Sequence, residues 1–151
     1  NYWMSGMRTK LGIFNKEEDD EKLFDDLLNI MHKNNEDYTN TFINLTFSKE
    51  DKGMYETSEF RIWHNKWQAR LQRQSQTKEE SFELMRSSNP AVIPRNHRVE
   101  EALSAAEKDD YSVLDNLMRA LTSPFEHCFE QSKYAELPPI SFCKYKTFCG
   151  T

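Results

Sequence analysis

Asn15-Lys16-Glu17-Glu18-Asp19-Asp20-Glu21-Lys22-Leu23-Phe24-Asp25-Asp26-Leu27-Leu28-Asn29-Ile30-Met31-His32-Lys33 decides the fold class of this 151-residue chain. Leu23, Phe24, Leu27, Leu28 and Met31 recur at helical spacing and gather on one face. Five consecutive acids, Glu17 to Glu21, stand in the first turn, where the helix dipole favours negative charge. Asn15 offers an N-cap and Asn34-Asn35 a stop, so the spacing predicts an amphipathic helix ending near Lys33.

The same period repeats downstream, while residues 1 to 10 are poorly periodic. Upstream, Leu11-Gly12 reads as a helix stop, because Gly is favoured just past a helix end. Downstream, a shorter helix carries Tyr38, Phe42, Ile43 and Leu45, and a polar loop follows from Ser48 to Gly53. Phe60, Trp63, Trp67 and Leu71 fall within an arc of about 80°, at about 100° per residue, on a helix from Ser58 to about Gln74. Thr77 and Glu80 have capping-box spacing ahead of Phe82 and Met85. Asn89-Pro90 to Pro94 is expected to be extended, since each proline pushes its predecessor out of the helical region. Asn96 is expected to cap a helix bearing Val99, Ala102, Leu103 and Ala106, and Asp110 one bearing Val113, Leu114, Leu117, Met118 and Leu121. Pro124 ends that helix. The last residues, with Pro138-Pro139, read as an irregular tail. The expectation is an all-α domain over residues 1–151, with about six to seven helices.

Composition narrows the function. The net charge of −5 and 13% aromatic residues suit a folded chain with a thin, aromatic core. No apolar run reaches the ~18 residues of a membrane span, and no charged-then-apolar leader is present. The three cysteines, Cys128, Cys143 and Cys149, are odd in number and late, which suits a reducing, cytoplasmic setting. Four scattered glycines form no phosphate-cradling loop. His97-Arg98 is followed by Val99 rather than the Asp of a kinase catalytic loop. Neither the four histidines nor the Glu17–Glu21 run has metal-ligand spacing, and that run reads as a solvated helix start. No catalytic, cofactor-binding or metal residue is therefore expected in this chain.

Residues 61–78 hold Arg61, Lys66, Arg70, Arg73 and Lys78 without an acid. Basic residues beside tryptophans can bind single-stranded nucleic acid, but a pI near 5.4 opposes a dedicated nucleic-acid protein. The flank reads as solvated or as a dock for an acidic protein surface. Cys149, third from the end, is either a redox-active thiol, with Cys143 a possible partner, or an inert one.

An ordered set of motifs resembles the C-terminal third of the selenoprotein O (YdiU) family. It runs through Met7-Arg8, Lys10-Leu11-Gly12, Asp37-Tyr38-Thr39 with Phe42, and Trp67 with Arg70-Leu71. It continues through Met85, Asn89-Pro90, Ile93, Arg95-Asn96, Glu101-Ala102, Ala105-Ala106 and Asp110-Tyr111. Pro124, Tyr134, Pro138-Pro139 and Cys149 close the series. The resemblance implies a pseudokinase-like parent that transfers AMP from ATP to protein hydroxyls with Mg or Mn, its nucleotide and metal residues lying outside this chain. It implies that these helices support the kinase-like portion of the same polypeptide, with Asn89, Pro90, Arg95 and Asn96 structural. It also maps the family's redox-linked near-terminal position onto Cys149, although Cys149-Gly150-Thr151 departs from the frequent Cys-Ser-Ser ending. The parent's partners would be its protein substrates, with neither nucleic acid nor membrane. The competing reading is an independent helical protein-interaction module that docks through the Arg61–Lys78 helix.

Overall fold

The computed structural model describes residues 2–50 and 52–139, and every regular element among them is helical. Eight α-helices, against the six or seven expected, and two short 3-10 turns confirm the all-α reading. The helices are α1 (Tyr2–Lys10), α2 (Asp20–Lys33), α3 (Tyr38–Phe47), α4 (Ser58–Leu71), α5 (Lys78–Ser88), α6 (Asn96–Ala106), α7 (Ser112–Thr122) and α8 (Ser132–Ala135). They fall into two compact units, which divide after Pro90.

In the first unit α1 ends where expected. Gly12 takes φ +71°, and a Cβ there would lie 2.9 Å from the Ser81 carbonyl oxygen, so α5 packs directly on this turn. The apolar face of α2 buries Leu23, Phe24, Leu27, Ile30 and Met31. Asn34 Nδ2 donates to the Ile30 carbonyl at 2.8 Å and Asn35 turns left-handed at φ +54°, which ends the helix at Lys33. Asp37 caps α3 by accepting from the Asn40 N–H at 2.8 Å. The loop after α3 carries a 3-10 turn, Gly53–Glu56, that buries Met54 and Tyr55. Thr57 caps α4, and Thr77 with Glu80 makes the expected capping box on α5.

Aromatic packing from α4 organises this core. Phe60, Trp63 and Trp67 are buried, and the two indoles stack at 5.5 Å. Trp63 Nε1 donates to the Leu23 carbonyl at 2.8 Å and Trp67 Nε1 to the Leu11 carbonyl at 2.9 Å. One face of α4 thereby fixes both α2 and the turn that ends α1.

In the second unit α6 and α7 pack on each other around Val92, Ala102, Leu117 and Tyr134, with Val99, Val113, Leu114, Ala120 and Leu121 against them. Among the described residues of the expected irregular tail there is regular structure. A 3-10 turn, Phe129–Gln131, runs into α8, and Gln131 Nε2 donates to the Ala120 and Ser123 carbonyls at 3.1 and 2.8 Å. Those bonds satisfy free carbonyls at the end of α7, which gives the segment a reason to settle.

Three expected caps are corrected. α2 starts at Asp20 with Asp19 at the N-cap position, and Asn15 binds an arginine instead. Arg95, not Asn96, stands at the N-cap position of α6. Tyr111 stands at that of α7, while Asp110 Oδ1 accepts from the Ser112 N–H and hydroxyl at 3.0 and 2.6 Å. Asn15 found a partner away from the helix end, whereas Asp110 binds the first residue of α7 from one position further out. No helix among the described residues is long and apolar enough to cross a membrane.

Candidate functional site

The densest polar cluster sits on Arg70, in the last turn of α4. Arg70 is only 2% exposed, since position 70 continues the Phe60–Trp63–Trp67 face. Its Nε donates to Asp20 Oδ1 at 2.7 Å, and Asp20 is fully buried. Nη1 donates to Asn15 Oδ1 at 3.1 Å and lies 3.1 Å from Glu17 Oε1, while Nη2 donates to the Asn15 carbonyl at 2.9 Å. Arg73 Nε donates to Glu17 Oε2 at 2.8 Å, and Arg8 Nη1 lies 3.8 Å from Asp20 Oδ2. The Arg73 hydrogen bond holds the Glu17 carboxyl below its ordinary range, and Glu17 holds Arg73 above its own.

This arrangement corrects two expectations. The acidic run is not wholly solvated, for Asp20 is buried and Glu17 is bound by two arginines. Of the basic flank, Arg70 alone is buried, while Arg61, Lys66, Arg73 and Lys78 are exposed as expected. Arg73 pairs with Glu17, and Lys66 lies 3.5 Å from Asp26. The cluster ties α4 to the α1–α2 connection.

A second node surrounds Asn89, which is buried and extended before Pro90, as its neighbour requires. Asn89 Nδ2 donates to the Lys10 carbonyl at 2.9 Å and to Thr46 Oγ1 at 3.0 Å. Lys10 Nζ donates back to Asn89 Oδ1 at 3.3 Å and to the Ser88 carbonyl at 3.2 Å. Burial lowers the Lys10 pKa. One amide thus links the ends of α1, α3 and α5.

In the second unit the Arg95 N–H donates to the Ile93 carbonyl at 2.8 Å, and Asn96 is exposed. Arg98 Nη2 donates to the Lys133 carbonyl and to Glu136 Oε2, both at 2.7 Å, holding α8 on α6. His97 is buried, and its pKa is lowered from 6.5 by that burial and then by the Arg98 charge. A depressed imidazole makes the folded unit bind fewer protons than the unfolded chain. Its stability is therefore expected to be full above the ordinary value and to fall as pH drops from about 7 to about 5. Urea unfolding of wild type and His97→Gln at both pH values checks this, and an equally steep fall in the variant contradicts it.

Cys128 is exposed and free, whereas Cys143 and Cys149 lie outside the described residues. Among the described residues no group of three His, Cys, Asp or Glu is placed to hold a metal ion.

Comparison with known proteins gives these two nodes their setting. The sequence profile of the family described as protein adenylyltransferase SelO matches residues 1–122. The chain belongs to the SelO family. It is 54% identical to the protein nucleotidyltransferase YdiU of Halalkalibacterium halodurans over 153 aligned residues, covering 100% of this chain and 31% of that protein. The Clostridium botulinum (strain Hall) and Geobacillus kaustophilus proteins of the same name are 57% and 51% identical, with 31% and 32% of their lengths covered. This SelO-family chain thus spans about a third of the relatives it matches. That share does not establish the C-terminal placement expected from the sequence.

Proposed function

We propose that this chain is a non-catalytic helical portion of a protein adenylyltransferase, which supports a kinase-like portion that transfers AMP from ATP to protein hydroxyls with Mg or Mn. Family membership across the chain supports this reading, together with its one-third share of the relatives' length. The observation that carries the non-catalytic part is the commitment of the buried charges to one another. Arg70 spends its guanidinium on Asp20, Asn15 and Glu17, and Asn89 spends its amide on Lys10 and Thr46. Groups held in this way brace helices and are not poised to grip a triphosphate. Arg70 and Arg73, committed to Asp20 and Glu17, are also less available to an independent module that docks through Arg61–Lys78. Isothermal titration of the isolated chain with ATP and Mg²⁺ or Mn²⁺ is expected to show no binding, and a micromolar Kd would overturn the reading.

The redox role of Cys149 is part of the same proposal and rests on the family resemblance. Disulfide mapping of the oxidised full polypeptide should place Cys149 in a bond, and a persistently free Cys149 thiol removes the role.

A further inference from the structure

We propose that one side of the α6–α7 pair, formed by Leu103, Tyr111 and Met118, is the surface on which this portion docks against the rest of its own polypeptide. The inference rests on the reading above. These three side chains are 50%, 56% and 55% exposed. They are not scattered.

On α7 the core is filled by Val113, Leu114, Leu117, Ala120 and Leu121, an arc of about 120° at 3.6 residues per turn. Met118 lies about 100° round from Leu117, and Tyr111, seven residues earlier, falls within about 20° of Met118. The apolar arc of α7 therefore extends to about 180°, wider than the roughly 100° stripe that one packed face requires. On α6, Leu103 likewise stands about 100° past the buried Ala102. Residues 107–111 join the two helices, which pack on each other about a shared core, so we take them as the antiparallel hairpin that a connection of this length makes. In an antiparallel pair, equal rotations past the shared core bring both side chains to the same side. Leu103 thus joins Tyr111 and Met118 in one apolar strip beside the connecting turn.

Three observations choose the occupant. The relatives are about three times as long as this chain, so most of the polypeptide that could cover the strip lies elsewhere. The family match runs through Thr122, the last residue of α7, so the strip lies inside the shared region. Its rim is mainly acidic: Glu107, Asp109, Asp110 and Asp115 are exposed beside it, against Lys108 and Arg119. A two-fold pairing of identical copies would set those rims against each other, which like-charge repulsion opposes. An anionic lipid surface meets the same repulsion. The strip fits an apolar patch with a basic rim, carried by the remaining portion of the same chain.

Methionine oxidation by hydrogen peroxide in the full polypeptide tests this, read by peptide mass spectrometry. Met7, Met31 and Met85 are buried here and provide the protected reference. Met118 is expected to oxidise as slowly as they do. Oxidation at least ten-fold faster overturns the docking surface, and does so without touching the functional reading if AMP transfer by the same preparation is intact. Protection that disappears on dilution would show a second copy on the strip and would equally overturn the proposal. Protection together with absent AMP transfer supports the docking surface while the functional reading fails.

Discussion

Replacing Arg70 with alanine should lower the unfolding free energy of the first unit by about 3–5 kcal/mol, the range for removing one partner of a buried ion pair. The cause is what remains behind. Asp20 stays fully buried, without the Nε–H at 2.7 Å, and the Asn15 carbonyl loses its donor at 2.9 Å. Arg70→Lys should not rescue, because an ammonium point charge cannot reach Asp20, Asn15 and Glu17 together. The double variant Arg70→Met with Asp20→Leu should recover part of the loss, since neither member of the pair is then buried without the other, while Arg8, 3.8 Å from Asp20, loses its carboxylate neighbour. Urea unfolding followed by tryptophan fluorescence measures all three. A loss below about 1 kcal/mol for Arg70→Ala, the size of an exposed ion pair, would show that the pair is dispensable.

Trp67→Ala should cost about as much, roughly 3–5 kcal/mol, by a different route. The indole is buried, stacks on Trp63 and donates to Leu11, so truncation opens a cavity and releases the α1 turn at once. Trp67→Phe separates the two effects. It keeps most of the apolar volume and loses only the N–H, so about 1–3 kcal/mol should go with the hydrogen bond. Equal losses in the two variants would mean that the hydrogen bond to Leu11, and not the filled volume, decides this position.

The fold was largely legible because its helices obey one rule. Leu23, Phe24 and Leu27 on α2, and Phe60, Trp63 and Trp67 on α4, are buried at the spacing the sequence displays. The capping box at Thr77 and the stop at Gly12 needed only local chemistry. What escaped was charge in the interior. Asp20 precedes Leu23, Phe24 and Leu27 at helical spacing, and Arg70 follows Trp63 and Trp67 in the same way, so each lies on an apolar stripe. A cation and an anion on two such stripes are a legible signal for a buried pair. It was hidden because each also belongs to a run of like charge that reads as solvated. The cap at Asn15 escaped for another reason, since its partner, Arg70, is brought to it by tertiary geometry. The ordering of Phe129–Ala135 depends on α7 carbonyls that no local pattern announces.

AMP transfer tests the central claim most directly, with labelled ATP, Mg²⁺ or Mn²⁺ and a protein acceptor offered in parallel to the full polypeptide and to this chain alone. Label is expected on the acceptor only with the full polypeptide. Acceptor labelled by residues 1–151 on their own would contradict the assignment of these helices to a supporting role.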